Sequence, residues 1–86
     1  MDITQLIGKK VLIRTVTNYY TGTLQSVDSF LHLADAAWIA DTGRFATALQ
    51  TGALNEVEPY PGDCWVSAGS VVDLSEWRHE LPRTQK

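Results

Sequence analysis

Between Tyr20 and Ala36 the two-residue alternation of a β-strand breaks once and then restarts, and this break is the strongest constraint on the fold. Tyr20, Gly22 and Leu24 share one parity, whereas Val27 falls on the other, so the pleat must slip between Leu24 and Val27. A bulge there bends the strand sharply. Asp28-Ser29 supplies short polar side chains that can bond their own backbone in a turn, and Leu31 and Leu33 resume the alternation. A strand, a bend and a return strand in so short a run is the pattern of a small, strongly curved sheet.

The flanking sequence extends that pattern. Asp2 can cap a short helix whose apolar positions Ile3, Leu6 and Ile7 follow helical spacing and which Gly8 can end. Lys9 to Thr17 alternates and is rich in β-branched residues, with Val11 and Ile13 on one face and Leu12, Arg14 and Val16 on the other. It predicts a first strand, joined near Asn18 to a bent second strand from Tyr19 to Asp28. A third strand is expected from Phe30 to about Ile39, followed by a turn at Asp41-Thr42-Gly43. Between Arg44 and Asn55 the pattern fits a short helix or a hairpin extension equally. Pro59 and Pro61 remove two ladder donors and mark a strand start, a bulge or an exposed edge. Cys64 to Ala68 and Ser70 to Trp77 read as the fourth and fifth strands around a pivot at Gly69. The expected fold is therefore all-β with a short N-terminal helix, a strongly bent five-stranded antiparallel sheet closing into an SH3-like small barrel. Residues 1–77 form its single domain, and 78–86 a polar C-terminal tail expected to fray.

Length and charge narrow the function. A chain of 86 residues buries only a little over roughly 60% of the surface its unfolded form exposes, so oligomerisation would add stability. A net charge of −3 gives no general basic footprint for duplex DNA, and any nucleic-acid contact must be local. Two basic clusters exist, Lys9-Lys10 with Arg14, and Arg78, His79, Arg83 and Lys86; solvated surface charge is the simpler reading of both. No apolar run approaches the roughly 20 residues of a membrane-spanning helix. There is no signal-peptide pattern, and the single Cys64 cannot form an internal disulfide, so a cytoplasmic setting is expected.

The helix, the five strands and the order Gly22-x-Leu24-x-x-Val27-Asp28 followed by Leu33-x-Asp35-Ala36 together resemble the first motif of the Sm-like family, which includes the LSm and Hfq proteins. A fainter match to the second motif runs from Trp65 to Val72. The resemblance implies a homo-oligomeric ring of five to seven subunits, in which the late strands of neighbouring copies pair. Trp65, Val66, Ser67, Ala68, Val71, Val72 and Trp77 are the candidate contact residues, and at least one of Trp65 and Trp77 is expected to be buried between subunits. The resemblance also implies single-stranded RNA as a partner, bound at Asp28, Ser29, Phe30, His32, Ala68 and Gly69. In the family an aromatic residue stacks on a base, an asparagine bonds its edge, and a basic residue precedes the late glycine.

The chain departs from that pattern twice. The interval from Asp28 to Asp35 is two residues shorter than usual, and Ala68 stands where arginine is most common. With Asp28 as anchor, Phe30 takes the stacking position and His32 replaces the asparagine. With Asp35 as anchor, Phe30 falls at the asparagine position and the stacking residue is missing; this alignment is preferred because it keeps Leu31 and Leu33 inward. A ring that contacts proteins rather than RNA is the main alternative, and a monomeric SH3-like adaptor a third. Catalysis is not expected. Two histidines and one cysteine offer no recognisable metal set, no cofactor motif occurs, and Cys64 in an apolar strand reads as a packed residue rather than a partner for His32 or His79.

Overall fold

The computed structural model describes residues 2–86. Asp2 caps the first turn, its side chain accepting from the Thr4 N–H at 3.1 Å, and Ile3–Leu6 winds as a 3-10 helix that buries Leu6. Six strands follow: β1 (Lys10–Thr15), β2 (Tyr19–Val27), β3 (Phe30–Asp41), β4 (Glu56–Pro59), β5 (Cys64–Ser67) and β6 (Val71–Glu76), with helix α1 (Phe45–Thr51) between β3 and β4. The sheet is antiparallel, in the order β4-β3-β2-β1-β6, and β5 also pairs with β3. Six segments appear where five strands were expected because β3 is long enough to serve two partners. Its first half pairs with β5, from Phe30↔Ser67 to Leu33↔Cys64, and its second half with β4, from Ala37↔Pro59 to Asp41↔Glu56. The break between β4 and β5 contains Pro61, which has no donor for the ladder.

The slip in parity is a register shift between Leu24 and Ser26, where β2 carries the extra residue. A second shift lies one turn of pleat away: Thr21 pairs with Ala37 but Thr23 with Ala34, so β3 carries its extra residue around Asp35, whose φ is +51°. The two irregularities fold the β2–β3 ribbon over on itself at Gly22. A Cβ on Gly22 would lie 2.9 Å from Leu33 Cβ and 3.1 Å from the Ala34 carbonyl oxygen, closer than real Cβ atoms pack, so only glycine fits this crossing.

Bending gives the sheet two apolar layers. Val11 and Ile13 face a first core with Leu6, Leu24, Leu31, Leu33, Ala36, Cys64 and Val66. Leu12, on the opposite face of the same strand, joins a second core with Ala37, Ile39, Ala48, Leu54, Val57, Trp77 and Leu81. The segment left open by the sequence supplies part of that second layer: α1 buries Ala48 and ends at Gly52, whose φ of +81° lets its N–H reach the Ala48 carbonyl at 2.8 Å.

The expectation of a frayed tail is corrected. Trp77 is 1% exposed, and its indole N–H donates to the Glu80 carbonyl at 3.1 Å. Leu81 is buried beside it. Further on, Val57 and Lys86 exchange two backbone hydrogen bonds of 3.2 and 3.0 Å, adding a rung outside β4. Two apolar residues at helical spacing among polar ones are enough to pin the segment, because the sheet leaves an apolar face open for them.

Candidate nucleic-acid interface

The candidate residues sit on two turns. Asp28 and Ser29 form the tight connection between β2 and β3, with the Asp28 N–H donating to the Phe30 carbonyl at 3.1 Å. Ala68–Ser70 is a short 3-10 turn between β5 and β6. Because β5 runs antiparallel to the start of β3, the Phe30↔Ser67 rung places these turns side by side. One further bond joins them, from the Ala68 N–H to the Ser29 carbonyl at 3.0 Å. Asp28, Ser29, Phe30, Ala68 and Gly69 thus come together, and Phe30 keeps 51% of its surface exposed. Gly69 has no positive φ, and a Cβ there would meet only Ser67 Oγ at 3.8 Å, so neither backbone strain nor close approach requires glycine.

His32 lies one pleat further along, on the face opposite Leu31 and Leu33, which are both buried. Its ring stacks on Trp65, with centroids 4.4 Å apart and 12° between planes, and its Nε2 lies 2.7 Å from Asp63 Oδ2. Neither Asp63 nor this stack was evident from sequence, because the β3–β5 register that creates it depends on the Pro61 break. Trp65 remains 58% exposed, offering a flat platform already backed by a second ring.

The two turns contain no Lys or Arg, and several cations of the chain are engaged elsewhere. Lys10 Nζ donates to the His79 carbonyl at 2.5 Å. Arg14 pairs with Asp73 across β1 and β6, which raises its pKa further through the hydrogen bond and the opposite charge. Arg83 lies 3.6 Å from Asp35. Cys64 is buried in the first core, and burial pushes its thiol up, opposed by a hydrogen bond with Tyr60. A thiol kept neutral is a poor nucleophile. Among the described residues no group of three or more His, Cys, Asp or Glu side chains could hold a metal ion, and no helix is long and apolar enough to cross a membrane.

Neither a protein-family model nor a curated protein matches the sequence. Among solved structures the chain is similar to SmAP1 of P. aerophilum, crystallised as a heptamer, with a TM-score of 0.62 and 26% sequence identity over 85% of this chain and 84% of that one. The fold is Sm-like.

Within this Sm-like fold, among the described residues, β5 pairs only with β3 and β6 only with β1, so each late strand keeps one edge without a partner strand there. The expected contact residues divide between the two faces. Trp65, Ser67, Ala68 and Val72 are exposed, and Val71 is partly so. Val66 belongs to the first core and Trp77, just beyond the end of β6, to the second, so both side chains are packed within one chain.

Proposed function

We propose that the chain assembles into a homo-oligomeric Sm-like ring and binds single-stranded RNA through the paired β2–β3 and β5–β6 turns. The observation that carries this reading is the Ser29–Ala68 hydrogen bond, which fixes the two turns as one surface with Phe30 exposed on it. The open edges of β5 and β6 support assembly, because an unpaired strand edge is an aggregation hazard that ring closure removes. The heptameric state of SmAP1 supports it as well. In this arrangement Phe30 stacks on a base, and the polar groups of Ser29 and the Ala68-Gly69 backbone meet base edges or sugar hydroxyls. Phosphate attraction contributes little, since the turns carry Asp28 and no cation.

A ring that docks a protein is the second reading, favoured by the same lack of positive charge and by the short turn. Light scattering coupled to size exclusion decides assembly: a species at a multiple of 9.5 kDa is expected, and a monomer at every concentration would sink both ring readings. Anisotropy with uridine-rich and adenine-rich oligonucleotides at low salt separates the two. Saturable binding weakened by Phe30→Ala supports RNA, whereas no saturation leaves the protein-docking ring.

A further inference from the structure

Tyr20, Trp38 and Glu58 are direct cross-strand neighbours, since Tyr20 pairs with Trp38 across β2 and β3 and Trp38 with Glu58 across β3 and β4. Opposed residues share a face, so the three side chains form one row. Tyr60 follows two residues after Glu58, flanked by Pro59 and Pro61, and its backbone N–H is tied to the Ala36 carbonyl at 2.9 Å. Together these six residues line a groove of ≈ 320 Å³ across the β2–β3–β4 face, at the small end of ligand sites. Trp38 and Tyr60 remain 36% and 38% exposed.

The chemistry of the walls selects the occupant. Aromatic faces carry negative quadrupole charge and attract cations, and the one ordinarily charged side chain lining the groove is the Glu58 carboxylate. Gln85 donates to Glu58 Oε1 at 3.1 Å, leaving Oε2 for a visitor. Burial, helped by Cys64 and Tyr20, pushes the Tyr60 phenol up to about 12, so Tyr60 presents a neutral ring. A primary ammonium or a guanidinium would need several acceptors that ring faces do not supply, whereas a fully methylated, quaternary ammonium needs none. The nearby cation, Arg83, belongs to a smaller adjoining groove and is paired with Asp35. We propose that the Tyr20–Trp38–Tyr60 groove binds a small organic cation carrying a quaternary methylammonium group, of the choline class.

The site is separate from the turns proposed for RNA, and its test does not depend on them. The full chain is titrated with choline and with tetramethylammonium at constant ionic strength, following the three indole N–H signals by NMR, with 3,3-dimethyl-1-butanol as the neutral isostere of choline. Saturable millimolar shifts of the Trp38 signal are expected, with those of Trp65 and Trp77 unmoved and the isostere at least about 3-fold weaker. Tyr60→Ala, which removes a wall but keeps the Trp38 reporter, should abolish the shift. Glu58→Gln, at an exposed position, should weaken choline about 3-fold while leaving the isostere unchanged. Equal binding of the isostere, an unaltered response in Glu58→Gln, or no saturable shift would each overturn the proposal. If Tyr60→Ala fails to fold, the isostere and Glu58→Gln comparisons still decide it.

Discussion

The imidazole of His32 lies flat on the indole of Trp65, 4.4 Å away and 12° from parallel, while its Nε2 meets Asp63 at 2.7 Å. This pair ties the start of β3 to β5 on the solvent side, opposite the rungs that bury Leu31 and Val66. A double-mutant cycle of His32→Ala and Trp65→Ala, read by urea unfolding at fixed protein concentration, should return a coupling of about 0.5–1.5 kcal/mol. Additive losses would mean that the rings are neighbours without mutual attraction.

Salt dependence should be shallow. With no Lys or Arg on the two turns, RNA affinity should fall with log salt at a slope nearer zero than the value of roughly −0.7 that each neutralised phosphate adds on single strands. Ala68→Arg places a cation beside Ser29, and it should steepen the slope by about 0.7 while tightening binding at low salt. An unchanged slope would show that RNA does not pass this turn.

Gly22→Ala should destabilise the fold by about 1–3 kcal/mol, because the new methyl group collides with Leu33 Cβ and the Ala34 carbonyl and the bend must open to admit it. Gly69→Ala should be tolerated, since its surroundings are open. Thermal melts of the two variants side by side distinguish a glycine needed for space from one that is not.

Leu81→Ala should cost about 2–4 kcal/mol, the usual range for emptying a buried leucine site. If the tail were frayed, the loss would be near zero. Hydrogen exchange gives an independent reading: the Val57 amide, which bonds the Lys86 carbonyl, should lose protection when residues 78–86 are removed.

Stability should decline on the alkaline side. The Cys64 thiol is held above its ordinary value of 9.0 by burial, so the folded state grips that proton more tightly than the unfolded chain does. The resulting stabilisation is complete below pH 9 and is lost as pH rises towards the folded-state value. Tyr60, ordinarily 10.0 and here about 12, adds a second loss that begins later. Cys64→Ala should flatten the stability profile between pH 9 and 10 and reduce, without abolishing, the later fall, because burial is the larger cause of the Tyr60 shift and Cys64 only adds to it, measured by urea midpoints across the alkaline range.

The curved ribbon was legible because a parity slip between Leu24 and Val27 is a local event with one geometric consequence. The two turns were picked out only through the family resemblance, and their adjacency depends on the β3–β5 pairing. What escaped was everything that depends on the second face of the sheet. Leu12 was placed opposite Val11 and Ile13, but one strand cannot reveal that both its faces are covered. Phe45, Ala48 and Leu54 fit either helix or hairpin until an apolar surface is present to receive them. Trp77 was recognised as too large to leave in water, yet its address could not be read. A partner subunit and the chain's own second core make the same demand on an indole. The Tyr20–Trp38–Glu58 row likewise needs the β2–β3–β4 register, which the shift around Asp35 displaces from simple alternation.

The two cores differ in when they can be completed. The first is closed by residues up to Val66, with Val71 and Leu74 packed at its margin, whereas the second requires Trp77 and Leu81. A chain truncated before Trp77 could therefore close the barrel interior while Leu12, Ala37, Ile39 and Val57 still presented a bare apolar face. Such a chain would be a half-covered sheet open to wrong partners, and the segment from Trp77 to Leu81 is what ends that exposure.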